Sequence, residues 1–190
     1  MWYLNETTDE RWVWANLFSP EECKTIIDLC LSKKQIINAS IEIPEDNENS
    51  HYRNSNLYWL KDRQPEDIWI YQKCTGAVNL MNKTYFNYDL VSMEDLQFTI
   101  YEEGQFYKRH IDNLFKSNVF RKLSFTVQLT DPSEYDGGDV LTYTGETPVA
   151  LKKDLGIMSV FPSNLLHEVT PITRGTRYSL VGWCSGPKFR

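Results

Sequence analysis

A histidine and an aspartate stand one residue apart in the segment from Tyr107 to Asn113. The local pattern is typical of a β-strand, in which alternate side chains share one face. We therefore expect His110 and Asp112 to point to the same side of a sheet. An imidazole beside a carboxylate suits a divalent first-row metal ion. Two ligands do not make a metal site, so a third ligand is needed.

The chain offers two further histidines as the third ligand. His51 lies in a polar segment, whereas His167 lies on a predicted strand that a roll of strands can bring beside Asp112. One carboxylate and two histidines make a facial triad, which leaves coordination positions open as non-haem Fe(II) oxygenases require. The His-x-Asp pattern alone is weak, because it occurs often by chance.

Arg177 follows His167 by ten residues and lies within an apolar predicted strand. A buried guanidinium without a partner is costly, so an anion is expected beside it. A dicarboxylate cosubstrate that chelates the metal through one end would offer its other carboxylate to the arginine fork. An ion pair between Arg177 and an internal Asp or Glu is the alternative.

The elements that position these residues begin with a helical first half. Ser19 as N-cap, with Glu22 completing a capping box, predicts a helix that starts at Pro20. A second helix is predicted from Pro65 to about Tyr85. The polar stretch 43–56 between the two helices predicts a loop.

The second half shows the short period of β-strands, separated by glycine turns such as the one at Gly137 and Gly138. Eight short strands in one chain favour a jelly roll, with the helices packed on one sheet. The predicted fold class is therefore a single α+β domain with a mainly β core. In this domain, residues 1–94 form a helical region that supports the β core formed by residues 95–184. The predicted strands are 96–101, 107–112, 122–130, 139–144, 147–151, 157–161, 165–172 and 176–184.

The composition limits the classes of function. The chain has 190 residues and a net charge of −6, which disfavours broad nucleic-acid binding. Its apolar runs are shorter than the roughly 20 residues of a membrane span. The acidic N-terminal segment lacks the features of a signal peptide, so a cytoplasmic location is expected. The four cysteines form no C-x-x-C pair and are expected to be reduced and mostly buried.

Three segments resemble the prolyl-4-hydroxylase-type branch of the 2-oxoglutarate- and Fe(II)-dependent dioxygenases, and in particular the bacterial and viral PKHD-type hydroxylases. They read YEEGQFYKRHIDN, LSFTVQLTDPSEYDGGDVLTY and GIMSVFPSNLLHEVTPITRGTRYSLVGW. The resemblance covers about 95–184. It rests on four motifs: H-x-D at 110–112, the GG turn at 137–138, F-P at 161–162 before His167, and G-x-R at 175–177 after it.

The resemblance implies a double-stranded β-helix fold in which His110, Asp112 and His167 bind Fe(II). It also implies that Arg177 holds the distal carboxylate of the cosubstrate 2-oxoglutarate. The reaction would hydroxylate an unactivated C–H bond while 2-oxoglutarate and O2 yield succinate and CO2. Ascorbate is an expected accessory, because it re-reduces the iron of such enzymes.

Further site residues follow from the same resemblance. Tyr101 matches a tyrosine that helps to hold 2-oxoglutarate, although it also fits a core position. Gln128 matches a position that lines the cosubstrate pocket, and Trp183 fits either that pocket or the core. Asn113, Arg121 and Tyr107 are candidates for the border of the substrate channel.

The substrate predicted from the resemblance is a peptide or protein residue such as proline. Segments 43–58 and 113–120 correspond to substrate-gating loops of relatives. A free amino acid or small metabolite is the alternative substrate, and nucleic acid is disfavoured by the acidic charge. A non-catalytic metal-binding β-roll and a cupin-like isomerase are alternatives to the dioxygenase. The short chain fits a stand-alone cytosolic enzyme, including a virus-encoded one.

Overall fold

The computed structural model describes residues 12–33, 35–39, 41–42, 51–61, 64–112 and 119–188. Within these ranges lie two α-helices, α1 (Pro20–Ser32) and α2 (Ile68–Met81), and a π-helical turn (Asn82–Phe86). The strands are β1 (Val13–Asn16), β2 (Ile37–Asn38), β3 (Ile41–Glu42), β4 (His51–Asn54), β5 (Asn56–Leu60), β6 (Ser92–Met93), β7 (Leu96–Tyr101), β8 (Phe106–His110), β9 (Val119–Gln128), β10 (Asp136–Gly137), β11 (Val140–Tyr143), β12 (Val149–Ala150), β13 (Ile157–Pro162), β14 (Leu166–Val169), β15 (Ile172–Arg174) and β16 (Arg177–Pro187).

The strands form two large sheets that face each other. The major sheet has the order β1-β13-β9-β16-β7-β5-β2, with β6 paired to β16, and the minor sheet has the order β12-β11-β14-β8-β4-β3. Strands β7, β9, β13 and β16 lie in the major sheet, and β8, β11 and β14 alternate with them in the minor sheet. This alternation is the jelly roll that the strand pattern predicted, so the predicted fold class is confirmed.

Both helices cover the outer face of the major sheet. Ile26 and Cys30 of α1 and Val78 of α2 pack in one buried cluster with Phe98 and Leu180 of the sheet. Burying a large apolar side chain contributes about 1.5–3 kcal/mol, so this layer is a main source of stability. The predicted packing of the helices on one sheet is thus confirmed.

The predicted start of α1 is confirmed in detail. The Ser19 side chain accepts a hydrogen bond from the Glu22 backbone N–H at 3.3 Å, and the Glu22 carboxylate accepts one from the Ser19 backbone N–H at 2.9 Å. Glu22 also pairs with Lys73 of α2, with 2.6 Å between Nζ and Oε1. The capping box therefore fixes the start of α1 and links it to the second helix.

The second predicted helix is shorter than the range 65–85. Residues 65–67 form a turn, and α2 begins at Ile68. The α-helical hydrogen bonding ends at Met81, but the π-helical turn continues to Phe86, near the predicted end at Tyr85. After this turn, the Asn82 side chain binds both the N–H and the C=O of Tyr88 at 2.9 Å. A short amide side chain that competes for backbone groups favours such helix ends.

The loop predicted over 43–56 is wrong for its second half. Residues 43–50 lie outside the described residues, but β4 and β5 follow directly and join the minor and major sheets. Arg53 pairs with Tyr107, and Asn56 pairs with Ile100. Polar strands were mistaken for a loop because β4 contributes to a polar interior rather than to an apolar core.

Most of the eight predicted strands are found near their expected bounds. The range 107–112 is too long, since β8 ends at His110, and the range 165–172 divides into β14 and β15. Pro171 lies between β14 and β15 and has no backbone N–H for a ladder. The four cysteines are free and buried, as expected. No described helix has the length and apolar character needed to cross a membrane.

Candidate metal centre and its cavity

A bulge in β8 directs two side chains into the space between the sheets. His110 lies opposite His167, and Tyr107 lies opposite Val169, with a shift of register between the two pairs. Two residues of β8 therefore face the single residue Glu168 of β14, which is a β-bulge. Regular alternation would place Tyr107 and His110 on opposite faces, but both line the same cavity.

Asp112 reaches the two histidines from beyond the end of β8. Its Oδ1 lies 3.6 Å from Nε2 of His110, and its Oδ2 lies 3.5 Å from Nε2 of His167. The ligand atoms of all three residues lie within 4.8 Å of one another. His110 and Asp112 point to the same side, as expected, but Asp112 lies beyond the end of β8, where its backbone N–H donates to Ser163 O at 2.9 Å.

Backbone carbonyls orient both imidazole rings. Nδ1 of His110 lies 2.8 Å from the carbonyl oxygen of Lys108, and Nδ1 of His167 lies 2.8 Å from that of Leu165. A carbonyl only accepts, so each Nδ1 carries the proton and donates it. Each Nε2 therefore presents its lone pair towards Asp112, as in metal sites in which an outer hydrogen bond selects the tautomer.

The charge states of these groups favour cation binding. Burial raises the pKa of Asp112, but the nearby His167 and His110 and a hydrogen bond from Ser124 lower it below its usual value. That bond, from Ser124 Oγ to Asp112 Oδ2, is 2.7 Å long. Burial, and then the proximity of His167, lower the pKa of His110 to about 4. A neutral imidazole and an ionised carboxylate are the forms that bind metals.

Arg177 extends into the same cavity, which has a volume of about 220 Å³. The side chain is only 1% exposed, and its Nε donates to Gln128 Oε1 at 3.0 Å and its Nη1 to Ser179 Oγ at 3.4 Å. None of the described carboxylates lies within 4.0 Å of Arg177, so the alternative of an internal ion pair is not found in this part of the chain.

The turn before β11 accommodates the stem of Arg177. Gly138 has φ of 62°, and a Cβ at this position would lie 2.9 Å from Cδ of Arg177 and 2.4 Å from Cδ1 of Ile172. A side chain here would be strained by its backbone and would collide with both neighbours. The second glycine of the GG turn thus leaves room for the arginine.

The residues that the resemblance assigned to the cosubstrate surround Arg177. Tyr101 lines the cavity, with its ring centre 5.6 Å from Cζ of Arg177. Gln128 contacts the guanidinium but is not among the lining residues. Trp183 lines the cavity rather than only filling the core, and its indole N–H is buried without a hydrogen-bond partner.

Two of the candidates for the channel border also line the cavity. Arg121 forms a two-pronged pair with Glu94, at 2.8 and 2.6 Å, and its Cζ lies 4.0 Å from the Trp183 ring centre. Tyr107 stacks on His110, with 3.6 Å between ring centres. Asn113 and residues 114–118 lie outside the described residues.

Sequence reasoning missed several lining residues on the N-terminal strands and in the major sheet. Arg53 lies in the segment that was predicted as a loop, and Trp59 lies just beyond it, although every second residue from Arg53 to Trp59 points inwards or is buried, a weak period-two signal. Gln97, Thr126 and Ser179 lie on predicted strands, but they were not singled out as lining residues.

The central part of the chain matches a known family. Residues 96–185 match the model of the 2OG-Fe(II) oxygenase superfamily. A PKHD-type hydroxylase from Gloeothece citriformis is 44% identical over 93 residues, which cover 48% of this chain and 42% of that protein. The matched region is therefore less than half of the curated relative's length.

Solved structures share the fold over nearly the whole chain. A Pseudomonas putida prolyl-4-hydroxylase superposes with a TM-score of 0.74 at 22% identity, covering 95% of both chains. A prolyl hydroxylase from Trichoplax adhaerens, solved with a hypoxia-inducible factor peptide fragment, gives 0.71 at 18% identity and covers 93% of this chain and 84% of that one. At these identities the likeness supports the fold.

Residues 96–185 thus match the 2OG-Fe(II) oxygenase superfamily, and the resemblance to PKHD-type hydroxylases is confirmed. The cofactors of this superfamily, Fe(II) and 2-oxoglutarate, can be tested against the site. Two imidazoles and a carboxylate are a donor set for Fe(II). The buried Arg177, which has no carboxylate partner among the described residues, is a group that a bound anion would satisfy. The residues fit both cofactors.

Proposed function

We propose that this protein is a 2-oxoglutarate- and Fe(II)-dependent dioxygenase that hydroxylates an unactivated C–H bond of a peptidyl residue such as proline. 2-Oxoglutarate would be oxidatively decarboxylated to succinate and CO2. One observation carries the proposal: the three metal-binding side chains and a buried arginine without a carboxylate partner meet in one cavity. When bound, iron and cosubstrate supply the oxygen chemistry, and the protein supplies position and charge.

The residues of the triad would each have a defined task. His110 and His167 offer neutral nitrogens whose direction is set by backbone carbonyls. Asp112 adds one negative charge, and Ser124 orients its Oδ2. Three protein ligands on one side leave the remaining positions for cosubstrate and oxygen.

Arg177 would bind the distal carboxylate of 2-oxoglutarate through a charge-assisted fork. Gln128 and Ser179 hold the guanidinium in place through Nε and Nη1, which leaves its remaining N–H groups for the ligand. Tyr101 packs beside Arg177 and would limit the access of water to that carboxylate.

Aromatic side chains support a peptidyl substrate with a compact ring. Trp59, Tyr107 and Trp183 line the cavity near the metal-binding residues. Flat aromatic faces pack well against an apolar ring and leave a peptide backbone free to extend. The Trichoplax structure that shares the fold was solved with a peptide fragment, which agrees with this substrate class.

The test is anaerobic addition of Fe(II) and 2-oxoglutarate to the metal-free protein, followed by the visible absorption spectrum. We expect a weak charge-transfer band that is absent in His110→Ala and reduced in Arg177→Ala. The exposed Arg174, which pairs with Asp136, provides the matched control Arg174→Ala. Admission of oxygen should then yield succinate.

Each outcome of this test has a defined meaning. If the wild-type protein gives no band, the dioxygenase proposal is rejected. A band without succinate formation would instead indicate a non-catalytic metal-binding roll. Equal bands in wild type, Arg177→Ala and Arg174→Ala would remove Arg177 from the cosubstrate site.

Two accessory features belong to the same proposal. Ascorbate would extend the number of turnovers by re-reducing the iron, which a comparison of succinate yields with and without it can measure. A reducing, cytosolic environment is proposed because all four cysteines are free and buried.

A further inference from the structure

Arg53 is a buried arginine that the proposed reaction does not use. It lies on β4, which pairs with β8 at the metal centre, with Arg53 opposite Tyr107. Its residue exposure is 9%, and it lines the same cavity as the triad. A long cationic side chain is rarely buried to this extent unless it is paired.

The contacts of Arg53 with the described residues use only part of its hydrogen-bonding capacity. Its Nε donates to Ser55 Oγ at 2.8 Å, and its Cζ lies 4.8 Å from the ring centre of Tyr107. A guanidinium has five N–H donors, so the bond to Ser55 uses one of them. The described ion pairs of arginine involve Arg109, Arg121 and Arg174. No described carboxylate therefore lies within 4.0 Å of Arg53.

The three arginines of the cavity differ in how their charge is balanced. Arg121 is neutralised by the two-pronged pair with Glu94. Arg177 is matched by the distal carboxylate of 2-oxoglutarate in the proposed function. Asp112 is the one carboxylate among the described lining residues, and it faces the metal. Among the described residues, the charge of Arg53 therefore has no counter-ion inside the buried cavity, and a buried charge without a partner is costly.

Arg53 also lies close to the place where a substrate would react. Tyr107 contacts Arg53 and stacks on His110, with the two ring planes 16° apart. One aromatic ring thus separates the guanidinium from a metal-binding imidazole. A group bound by Arg53 would be near the reacting carbon rather than at a remote part of the substrate.

We propose that Arg53 binds a carboxylate of the substrate, so that the substrate class is a carboxylate-bearing molecule. The inference rests on the proposed function and narrows its substrate. The carboxylate has two possible sources: an acidic residue next to the hydroxylated residue of a peptide, or the α-carboxylate of a free amino acid. The two sources share the same chemistry at Arg53 and can be separated by the choice of probe.

The experiment uses protein loaded anaerobically with Fe(II) and saturating 2-oxoglutarate, so that Arg177 is occupied. Affinity is measured by calorimetry and by perturbation of the visible band. The probes are matched pairs: blocked proline peptides with Glu or Gln on either side of proline, and L-proline with L-prolinamide. In one of the two probe sets, the peptides or the free amino acid, we expect the probe that carries the carboxylate to bind about 10- to 100-fold more tightly than its uncharged counterpart. This is the expected effect of a hydrogen bond to a charged group.

Variants of Arg53 connect that preference to one side chain. Arg53→Met keeps much of the volume and should abolish the preference, whereas Arg53→Lys keeps the charge and should retain part of it. The matched control is Arg174→Met on the surface, which should bind like wild type. The visible band and circular dichroism show whether each variant is folded and loaded.

Several outcomes overturn the inference while leaving the proposed function intact. The first is a wild-type protein that forms the band and succinate but prefers no carboxylate probe or binds none. The second is an unchanged preference in Arg53→Met. The third is a loss of iron or 2-oxoglutarate affinity in Arg53→Met without a change of preference, which would make Arg53 a positioning residue for His110. Failure of the proposed function itself would appear as the absence of band and succinate in wild type.

Discussion

The two faces of the major sheet have opposite chemistry although the same strands build both. On β16, Leu180 and Cys184 point outwards into the cluster beneath the helices. On the same strand, Arg177, Ser179 and Trp183 point inwards and line the cavity. Period-two alternation therefore separates stabilisation from ligand binding within a single strand.

The neighbouring strand repeats this division. On β7, Phe98 is fully buried against the helices, whereas Gln97 and Thr99 face inwards and bond to each other at 2.7 Å. Apolar burial on the outer face stabilises the fold in the absence of any ligand. Buried polar groups on the inner face reduce stability until a ligand satisfies them. The comparison suggests that the helices compensate for a destabilising binding face.

The largest expected effect is on the outer face. Phe98→Ala removes a fully buried ring and should reduce the free energy of unfolding by about 3–5 kcal/mol. Thr99→Ala, one residue away on the inner face, should cost only about 1 kcal/mol through its lost hydrogen bond. Denaturation with urea measures both variants. Equal losses would contradict the division of labour between the two faces.

The next effect is on metal affinity at the inner face. Ser124→Ala removes the hydrogen bond that orients Asp112 and should weaken metal binding about 10- to 100-fold, as loss of an outer-shell partner does. Competition with a chelator, monitored with Co(II), provides the affinity. Ser133→Ala, at an exposed turn, is the control. An unchanged affinity would show that Asp112 needs no support from the major sheet.

A third effect tests whether the inner face destabilises the ligand-free protein. Arg177→Met replaces a buried charge that has no carboxylate partner with an apolar chain of similar length. We expect the metal-free protein to gain about 1–2 kcal/mol in stability, because an uncompensated buried charge is removed. Its affinity for 2-oxoglutarate should fall at the same time. A loss of stability would mean that Gln128 and Ser179 already satisfy the arginine.

The smallest expected effect is a decrease in the free energy of unfolding at acidic pH. The pKa of His110 is about 4 in the folded protein and near 6.5 in a free chain, so the unfolded state binds more protons between these values. Stability contributed by neutral His110 is therefore full above pH 6.5 and is lost as the pH falls. At pH 5.5 we expect a loss of about 1 kcal/mol relative to pH 7.5. His110→Ala should lack this component in urea titrations of the metal-free protein.

The sequence predicted the fold well where alternation and turn residues agreed. β7 occupies the predicted range 96–101, and the capping box at Ser19 is present. It failed for β4, because polar residues that face a binding cavity resemble a loop. A pattern of hydrophobic residues detects the outer face of a sheet and misses the inner one.

The sequence predicted which three side chains meet at the candidate metal centre, but not the backbone geometry that brings them together. The structure brings His110, Asp112 and His167 together, whereas their placement on strands was partly wrong for Asp112. Strand ends and bulges depend on tertiary hydrogen bonds such as that from Asp112 to Ser163, which local spacing does not encode. Arg53 was missed for the same reason, since its burial comes from strands distant in sequence.

The bulge in β8 makes the metal centre sensitive to residue number as well as to residue type. Lys108 and Arg109 together oppose Glu168, so the strand changes phase between Tyr107 and His110. Removing one of these two residues would delete no metal-binding group. It would nevertheless restore strict alternation, which puts either the stacking tyrosine or the imidazole outside the roll. Substitutions of Lys108 or Arg109 should thus be tolerated far better than the deletion of either residue.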